Sequence, residues 1–230
     1  VLAPLIDLLA PPACVACRRG GDLAPRDPLC RDCRIALPWL GTELCRRCGL
    51  PGRCGRRCPA RSQAFAAAWA PVAYGGPAAA LVVALKERGA LGVARLMAAQ
   101  MAALAPPGCW EGEAAALVPV PSDPLRRRRR GVDHAARLAA ELAPRCGLDV
   151  APALGRRASR TGRQAGAGRA ARLARGRLPV GVRTGVAVPR VAVLVDDVHT
   201  TGATLDACAR VLMASGAREV RAVTYARTLT

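Results

Sequence analysis

Two adjacent carboxylates, Asp196 and Asp197, close an apolar run, and Thr200-Thr201-Gly202-Ala203-Thr204 follows at once as a turn leading into a helix. This order of residue types suits a sugar phosphate. The first turn of a helix carries N–H groups without intrahelical partners, and these can cradle a phosphate dianion. Gly202 lets the backbone approach closely, and a Cβ there is expected to crowd the phosphate oxygens. Thr200, Thr201 and Thr204 each offer a hydroxyl donor. If the strand continues through Asp196 and Asp197 they face opposite sides, where they can accept from ribose hydroxyls or hold water around Mg²⁺. An ordinary Thr-capped helix is the competing reading, but paired acids at a strand end are more specific than that. The G-x-x-x-x-G-K loop of nucleotide-binding proteins is missing, and the sole lysine, Lys86, lies elsewhere.

A second chemistry lies near the start of the chain. Of 11 cysteines, eight fall within residues 1–62: Cys14, Cys17, Cys30, Cys33, Cys45, Cys48, Cys54 and Cys58. The spacing Cys14-x₂-Cys17 and Cys30-x₂-Cys33 suits tetrahedral thiolate ligation of Zn²⁺. Cys45-x₂-Cys48 makes another knuckle, with Cys54-x₃-Cys58 as its wider partner pair. Sequential and interleaved pairing both fit the spacing, and so do one or two structural zinc ions. Four thiolates close the coordination shell, which argues against a hydrolytic zinc. Cys109, Cys146 and Cys208 sit among apolar neighbours and read as small buried side chains.

These groups need a frame to position them. Val191–Val195 reads as a buried strand, Thr204–Ser215 as a helix with Leu205, Cys208, Val211 and Leu212 on one face, and Val220–Tyr225 as the next strand. Strand, helix, strand at this spacing is a βαβ unit with a parallel sheet. Ligands bind beyond the C-terminal strand ends of such sheets, which is where the acids and the turn fall. Upstream, Ala64–Tyr74 reads as an extended segment that pairs with itself or with a sheet edge. Ala78–Leu104 reads as helix interrupted near Gly89–Gly92, and Ala115–Val120 as a short strand closed by Pro121-Ser122-Asp123-Pro124. Asp133–Leu142 reads as a helix capped by Asp133 and ended by Pro144. Gly155–Gly181 reads as a mobile loop leading to a short helix.

The chain of 230 residues accommodates one α/β core and a small accessory module. We expect a cysteine-rich zinc-binding module over residues 1–62 and an α/β domain over 63–230. The formal net charge is +19, and of 35 basic residues only Lys86 is a lysine. Such a field favours polyanions: nucleic acid, nucleotides or anionic lipid. Around the cysteines, arginines including Arg18, Arg46 and Arg57 can grip a phosphate backbone. Trp39, Phe65 and Trp69 are the only nearby stacking candidates, so non-specific contact is expected rather than base readout. Leu2–Ala10 lacks the character of a secretory signal, and no run is long enough to insert in a membrane, so a cytoplasmic location is expected.

The segment 193–204 resembles the binding signature for 5-phosphoribosyl 1-diphosphate (PRPP) of type I phosphoribosyltransferases. The chain from Cys14 onward resembles the ComF family of competence-associated, phosphoribosyltransferase-like proteins. The resemblance rests on the cysteine module, Val118-Pro-Val-Pro121, Arg128-Arg-Arg-Gly-Val-Asp-His-Ala135, Arg157-Ala-Ser-Arg-Thr-Gly-Arg-Gln164 and Asp196–Thr204. It implies a type I phosphoribosyltransferase-like parallel sheet flanked by helices behind a zinc-ribbon-like module. It also implies PRPP with Mg²⁺, a diphosphate loop at Pro119, Val120, Pro121, Ser122 and Asp123, and retained arginines Arg128 and Arg130. A catalytic loop would carry Arg157, Arg160, Thr161, Arg163 and Gln164, and Lys86 matches an F-K-x-x-G element that meets phosphate. Where the family has F-N-Q this chain has Val132-Asp133-His134. Asp133 and His134 are expected to serve in helix capping and at the surface, which puts acceptor specificity in question.

Two functions follow from these expectations. One is transfer or hydrolysis of the phosphoribosyl group, with Asp196, Asp197, Arg157 and Arg160 at the reacting centre. The other is non-specific binding of single-stranded DNA during DNA uptake, where the resemblance adds competence helicase or recombination proteins as partners. A ligand sensor without turnover is a third, weaker reading.

Overall fold

The computed structural model describes residues 13–20, 23–24, 27–88, 91–122, 133–156 and 180–229. Strands β1 (Ala67–Trp69), β2 (Val72–Ala73), β3 (Ala115–Pro119), β4 (Asp149–Val150), β7 (Val191–His199) and β8 (Glu219–Arg227) form one six-stranded sheet. The order is β1-β8-β7-β3-β4, with β2 also paired to β8. Every pairing in it is parallel. Strands β5 (Leu154–Arg156) and β6 (Val180–Val182) make a separate antiparallel ribbon.

A parallel sheet buried on both faces needs strands that are apolar throughout, and β7 is apolar from Val191 to Val195. Its alternate residues enter two different cores. Val193 and Val195 join Leu117 and Tyr225 under helices α2 (Gly76–Arg88), α3 (Leu91–Ala103) and α4 (His134–Cys146), contributing Leu81, Leu85, Met97, Met101, Leu138 and Leu142. Ala192 and Leu194 join Val118, Phe65 and Leu205, Cys208 and Leu212 of helix α5 (Ala203–Ala214). The expected fold class is therefore observed: a parallel sheet flanked by helices, preceded by a small cysteine module that includes the short helix α1 (Arg31–Ile35).

The extended segment after the cysteines takes the edge option and pairs with β8 through β1 and β2. The cysteine module docks on the same edge, with Ala68 N donating to Arg46 O at 3.0 Å and Ala73 N to Pro38 O at 2.8 Å. The helical stretch is broken as expected, α2 ending at Arg88 and α3 starting at Leu91.

Pro144 does not end α4. The helix runs on to Cys146 and stops at Gly147, whose φ of +68° is the left-handed cap, with Leu148 N reaching back to Ala143 O at 3.3 Å. Proline in the last turn costs one helical hydrogen bond, which the burial of Leu138 and Leu142 below it outweighs. The ends of the expected 155–181 loop form the β5–β6 ribbon, while the short helix expected there lies outside the described residues. Among the described residues no helix is long and apolar enough to cross a membrane.

Candidate functional site

The eight module cysteines gather sequentially into two clusters, Cys14-Cys17-Cys30-Cys33 and Cys45-Cys48-Cys54-Cys58, which removes the interleaved alternative. Four thiolates at about 2.3 Å from one zinc stand about 3.8 Å apart in a tetrahedron. The Sγ separations are 3.8 Å for Cys17–Cys30, 3.9 Å for Cys45–Cys58 and 3.5 Å for Cys48–Cys54. The residues thus fit two structural zinc ions.

The knuckles repeat one backbone pattern. Arg18 N donates to Cys14 O and Gly49 N to Cys45 O, both at 2.8 Å, and the return bonds run from Cys14 N to Arg19 O and from Cys45 N to Leu50 O. Arg18 and Gly49 both have positive φ, 62° and 70°. Burial opposes ionisation of Cys14 and Cys45, yet backbone donors in each knuckle bring both thiols down to about 6. Burial and their sulfur neighbours push Cys33 to about 12 and Cys58 to about 11.

At the C-terminal end of β7 the strand continues through both acids to His199, so the two carboxylates face opposite sides as expected. Asp197 turns to the α2–α4 side and is buried. Lys86 of α2 meets its Oδ1 at 2.9 Å, and His134, the first residue of α4, lies 3.1 Å from Oδ2. Burial works against the Asp197 anion, but His134 and Lys86 outweigh it and hold the carboxyl below its ordinary value. Asp197 in turn raises His134 against its own burial.

Asp196 faces the α5 side. It accepts from Asp197 N at 2.9 Å, and no side-chain cation contacts it among the described residues. Burial first, then the Asp197 charge, raises it from 3.8 to about 7. A shallow pocket opens beside it, lined by Asp196, Val198, His199, Thr200, Gly202, Ala203, Thr204 and Leu205. The turn sits at the N-terminus of α5, where Ala203 N leans on Thr201 Oγ1 at 3.4 Å. Gly202 is needed there, though not for the reason the sequence suggests. Its φ is +80°, and a Cβ would lie 2.6 Å from Gln63 Oε1 and 2.8 Å from His199 Nε2, so it would strike protein before any ligand.

Pro119 is in register with Val195, which brings the Val120-Pro121-Ser122 segment level with the acids on the neighbouring strand. Ser122 Oγ donates to Asp133 Oδ2 at 3.0 Å, and Asp133 Oδ1 caps α4 through Ala136 N at 3.3 Å. The capping role of Asp133 is as expected. His134 departs from expectation: it is not a surface residue, because the cap that Asp133 provides starts the helix so that His134 points at Asp197. Lys86 likewise faces the acids rather than solvent alone. The structure thus brings together Lys86, Pro119–Ser122, Asp196, Asp197 and Thr200–Thr204. Asp123, Arg128, Arg130, Arg157, Arg160, Thr161, Arg163 and Gln164 lie outside the described residues.

Several residues around the turn carry no sequence signal. Gln63, Phe65, His199 and Arg227 surround it, Phe65 and His199 meeting edge to face with ring centroids 5.9 Å apart. Their partners are backbone carbonyls and side chains distant in sequence. The repeat of the two cysteine knuckles, 31 residues apart from Cys14 to Cys45, could have been found by aligning the chain with itself.

Among comparisons with known proteins, the family model described as "Double zinc ribbon domain" matches residues 5–61. The N-terminal module is a double zinc ribbon. No curated protein matches the chain. Among solved structures, the chain is similar to one titled "Structure of the allosteric regulatory enzyme of purine biosynthesis", with 24% identity and a TM-score of 0.36. The likeness covers 56% of this chain and 25% of that one, so this chain spans about a quarter of the length of the structure it matches.

Proposed function

We propose that the chain binds PRPP, or a closely related ribose 5-phosphate, at the pocket beside Asp196, and that it is a phosphoribosyltransferase-like protein of the ComF kind. The observation that carries this reading is the pocket itself, which opens where a carboxylate in contact with no side-chain cation among the described residues meets the N-terminus of α5 at the end of a parallel strand. That is where an open α/β sheet offers its ligand site, and a helix N-terminus there favours an anion.

In this reading the 5-phosphate lies against the Thr200–Thr204 backbone, with the threonine hydroxyls as further donors. Asp196 accepts from the ribose hydroxyls. Asp197 does not compete for them, because it is buried on the other face, with Lys86 at its Oδ1 and His134 3.1 Å from its Oδ2. Instead it fixes where those two side chains sit. The diphosphate lies toward Pro119–Ser122, with Arg128, Arg130, Arg157 and Arg160 supplied by segments beyond the described residues. Mg²⁺ suits the site because Asp196 is a hard oxygen donor whose ionisation is opposed until a cation arrives. When bound with the substrate it would neutralise diphosphate charge.

In the transfer reaction the bond from C1 to the diphosphate oxygen breaks and the diphosphate leaves with the electron pair. An acceptor lone pair then bonds to C1, and the acceptor gives its proton to solvent. Water as acceptor makes this hydrolysis. Positioning and charge stabilisation are what the residues can supply. Calorimetry with PRPP and Mg²⁺ on the wild type and on Asp196→Asn tests the reading, with a loss of binding expected in the variant. Equal affinity in both proteins would refute it. Release of diphosphate then separates a transferase from a sensor.

A further inference from the structure

The turn that meets the ligand is built partly from the cysteine module. Arg227, at the end of β8, is only 3% exposed and sits between the two. Its Nε donates to Cys48 O at 3.0 Å, inside the second knuckle. Its Nη1 donates to His199 O at 2.9 Å and to Thr200 O, the carbonyls that open the turn. Hydrogen bonds from a guanidinium to carbonyls are among the stronger ones, and burial leaves the Cys48 and His199 carbonyls no water to fall back on.

A second connection runs beside it. Gln63, just after the second cluster, donates from Nε2 to Thr201 O at 2.8 Å and fills the space beside Gly202. Gln63 is itself held by the knuckle, because Arg47, between Cys45 and Cys48, donates to Gln63 O at 3.0 Å and to Ala60 O at 2.8 Å. The same segment grips the first turns of α5, with Ala64 N bonded to Asp206 Oδ1 at 2.7 Å and Arg210 Nη2 to Ser62 O at 3.0 Å. Cys48, Cys58 and Ala60 pack in one core with Leu205 and Cys208 of that helix. The first cluster is placed differently. Cys14 and Leu29 pack in the opposite core, and among the described residues no hydrogen bond joins that cluster to the turn.

We propose that the second four-cysteine cluster is a structural part of the ligand-binding turn, with Arg227 and Gln63 as positioning residues, so that affinity at the turn depends on this cluster and not on the first. This rests on the sugar-phosphate reading only for the identity of the ligand. A knuckle closed by metal fixes the Cys48 carbonyl and the path to Gln63, and these fix the carbonyls of residues 199–201. The amides of the turn are thereby held in a binding arrangement before the ligand arrives, which lowers the cost of binding. Opening the knuckle releases both connections together.

The test compares Cys54→Ser, Cys17→Ser, Arg227→Lys and Gln63→Ala in the full zinc-loaded chain, with zinc content measured for each. Hydrogen exchange is read at the amides of 200–206, with β3 and α4 as internal references, alongside calorimetry with PRPP and Mg²⁺. Cys54→Ser, Arg227→Lys and Gln63→Ala are expected to speed exchange in the turn and weaken PRPP by about tenfold or more, the loss of one or two hydrogen bonds that hold the turn. Cys17→Ser is expected to leave both within about twofold of wild type, at the small end of single-residue effects. Equal effects from the two cysteine variants, or wild-type exchange in Arg227→Lys and Gln63→Ala, overturns the proposal. If Cys54→Ser fails to fold, the Arg227 and Gln63 variants decide. If the wild type does not bind PRPP, the functional reading fails while the exchange pattern still decides the coupling.

Discussion

Replacing Asp196 by Asn should make the unliganded protein more stable at pH 8 while weakening its binding of a sugar phosphate. Asn has nearly the same shape, and its Oδ1 can keep the bond accepted from Asp197 N at 2.9 Å. What it removes is a charge that burial and the neighbouring Asp197 anion disfavour, enough to raise the carboxyl from 3.8 to about 7. A carboxyl whose folded pKa is raised binds its proton more tightly in the native chain than in the unfolded one. Its contribution to stability is complete below about pH 4, falls as pH rises, and is gone above about pH 7. At about 1.4 kcal/mol per unit, a rise of about three units sets a ceiling of about 4 kcal/mol on that loss. Asp196 borders an open pocket, so water recovers part of this, and about 2 kcal/mol is the expected gain for the variant at pH 8.

The assay is chemical denaturation of zinc-loaded, Mg²⁺-free protein from pH 5 to 8.5. Two histidines also change stability across this range, with opposite signs, because each differs from its unfolded pKa of about 6.5. His134, raised by Asp197, adds stability that is lost as pH rises. His199 is lowered to about 4 by burial, then by the Arg227 charge, and loses stability as pH falls. His199 behaves alike in the two proteins and His134 keeps its larger partner, Asp197, so the quantity to read is the difference between the two curves. That difference should already be over a third of its full size at pH 5, because the loss begins near pH 4, and grow to about 2 kcal/mol, or roughly 5 °C in midpoint, by pH 8. Parallel curves, or a variant less stable at pH 8, would refute the account of Asp196 as a charge that burial disfavours.

Three further outcomes follow from the geometry. Gly202→Ala should cost about 2 kcal/mol or more, because a Cβ meets Gln63 and His199 under 3.0 Å at a positive φ, and denaturation midpoints check it. Arg18→Gly should stabilise the first ribbon by about 1 kcal/mol by relieving an L-residue at φ 62°, whereas Gly49→Arg at the equivalent place should do the reverse; the readout is thermal unfolding with zinc bound. If the +19 charge serves single-stranded DNA, oligonucleotide affinity should fall by about tenfold or more between 50 and 200 mM salt, and binding that is absent or insensitive to salt removes that role.

The sheet was legible in the sequence where the residues themselves set the pattern. Val191–Val195 is the apolar run that a buried parallel strand requires, Val220–Tyr225 carries Val, Ala and Tyr around Arg221 and Thr224, and both strands form, extended to His199 and Arg227. The spacing of Leu205, Cys208 and Leu212 gave the α5 face for the same reason. Pro144 misled because local propensity counts one lost hydrogen bond and cannot see the leucines that burial holds in place. The environment of the site was less legible. Nothing in the order of residues indicates that Arg227 reaches Cys48, 179 positions earlier, or that Gln63 lies against Gly202. These contacts come from the docking of the ribbon on the sheet edge, and they join side chains to backbone carbonyls, which every residue offers alike.

The two neighbouring acids illustrate how a strand can give one residue type two roles. Their types are identical and their positions differ by one, but the pleat turns them to different cores. On one side helices α2 and α4 present Lys86 and His134, and Asp197 is neutralised within the protein. On the other side stands the N-terminus of α5, a source of partial positive charge and N–H donors, and among the described residues no side-chain cation pairs with Asp196 as Lys86 does with Asp197. A ligand with hydroxyls and a divalent cation supplies what that side lacks, and an anion supplies what the helix terminus lacks. A ribose phosphate carries both in one molecule. An isolated sulfate or phosphate answers only the helix and meets Asp196 as a like charge. Free phosphate should therefore bind more weakly than ribose 5-phosphate in wild type, and Asp196→Asn should narrow that gap by strengthening phosphate while weakening the sugar phosphate. Calorimetry with the two ligands measures it, and an unchanged ratio would mean that Asp196 does not face the sugar.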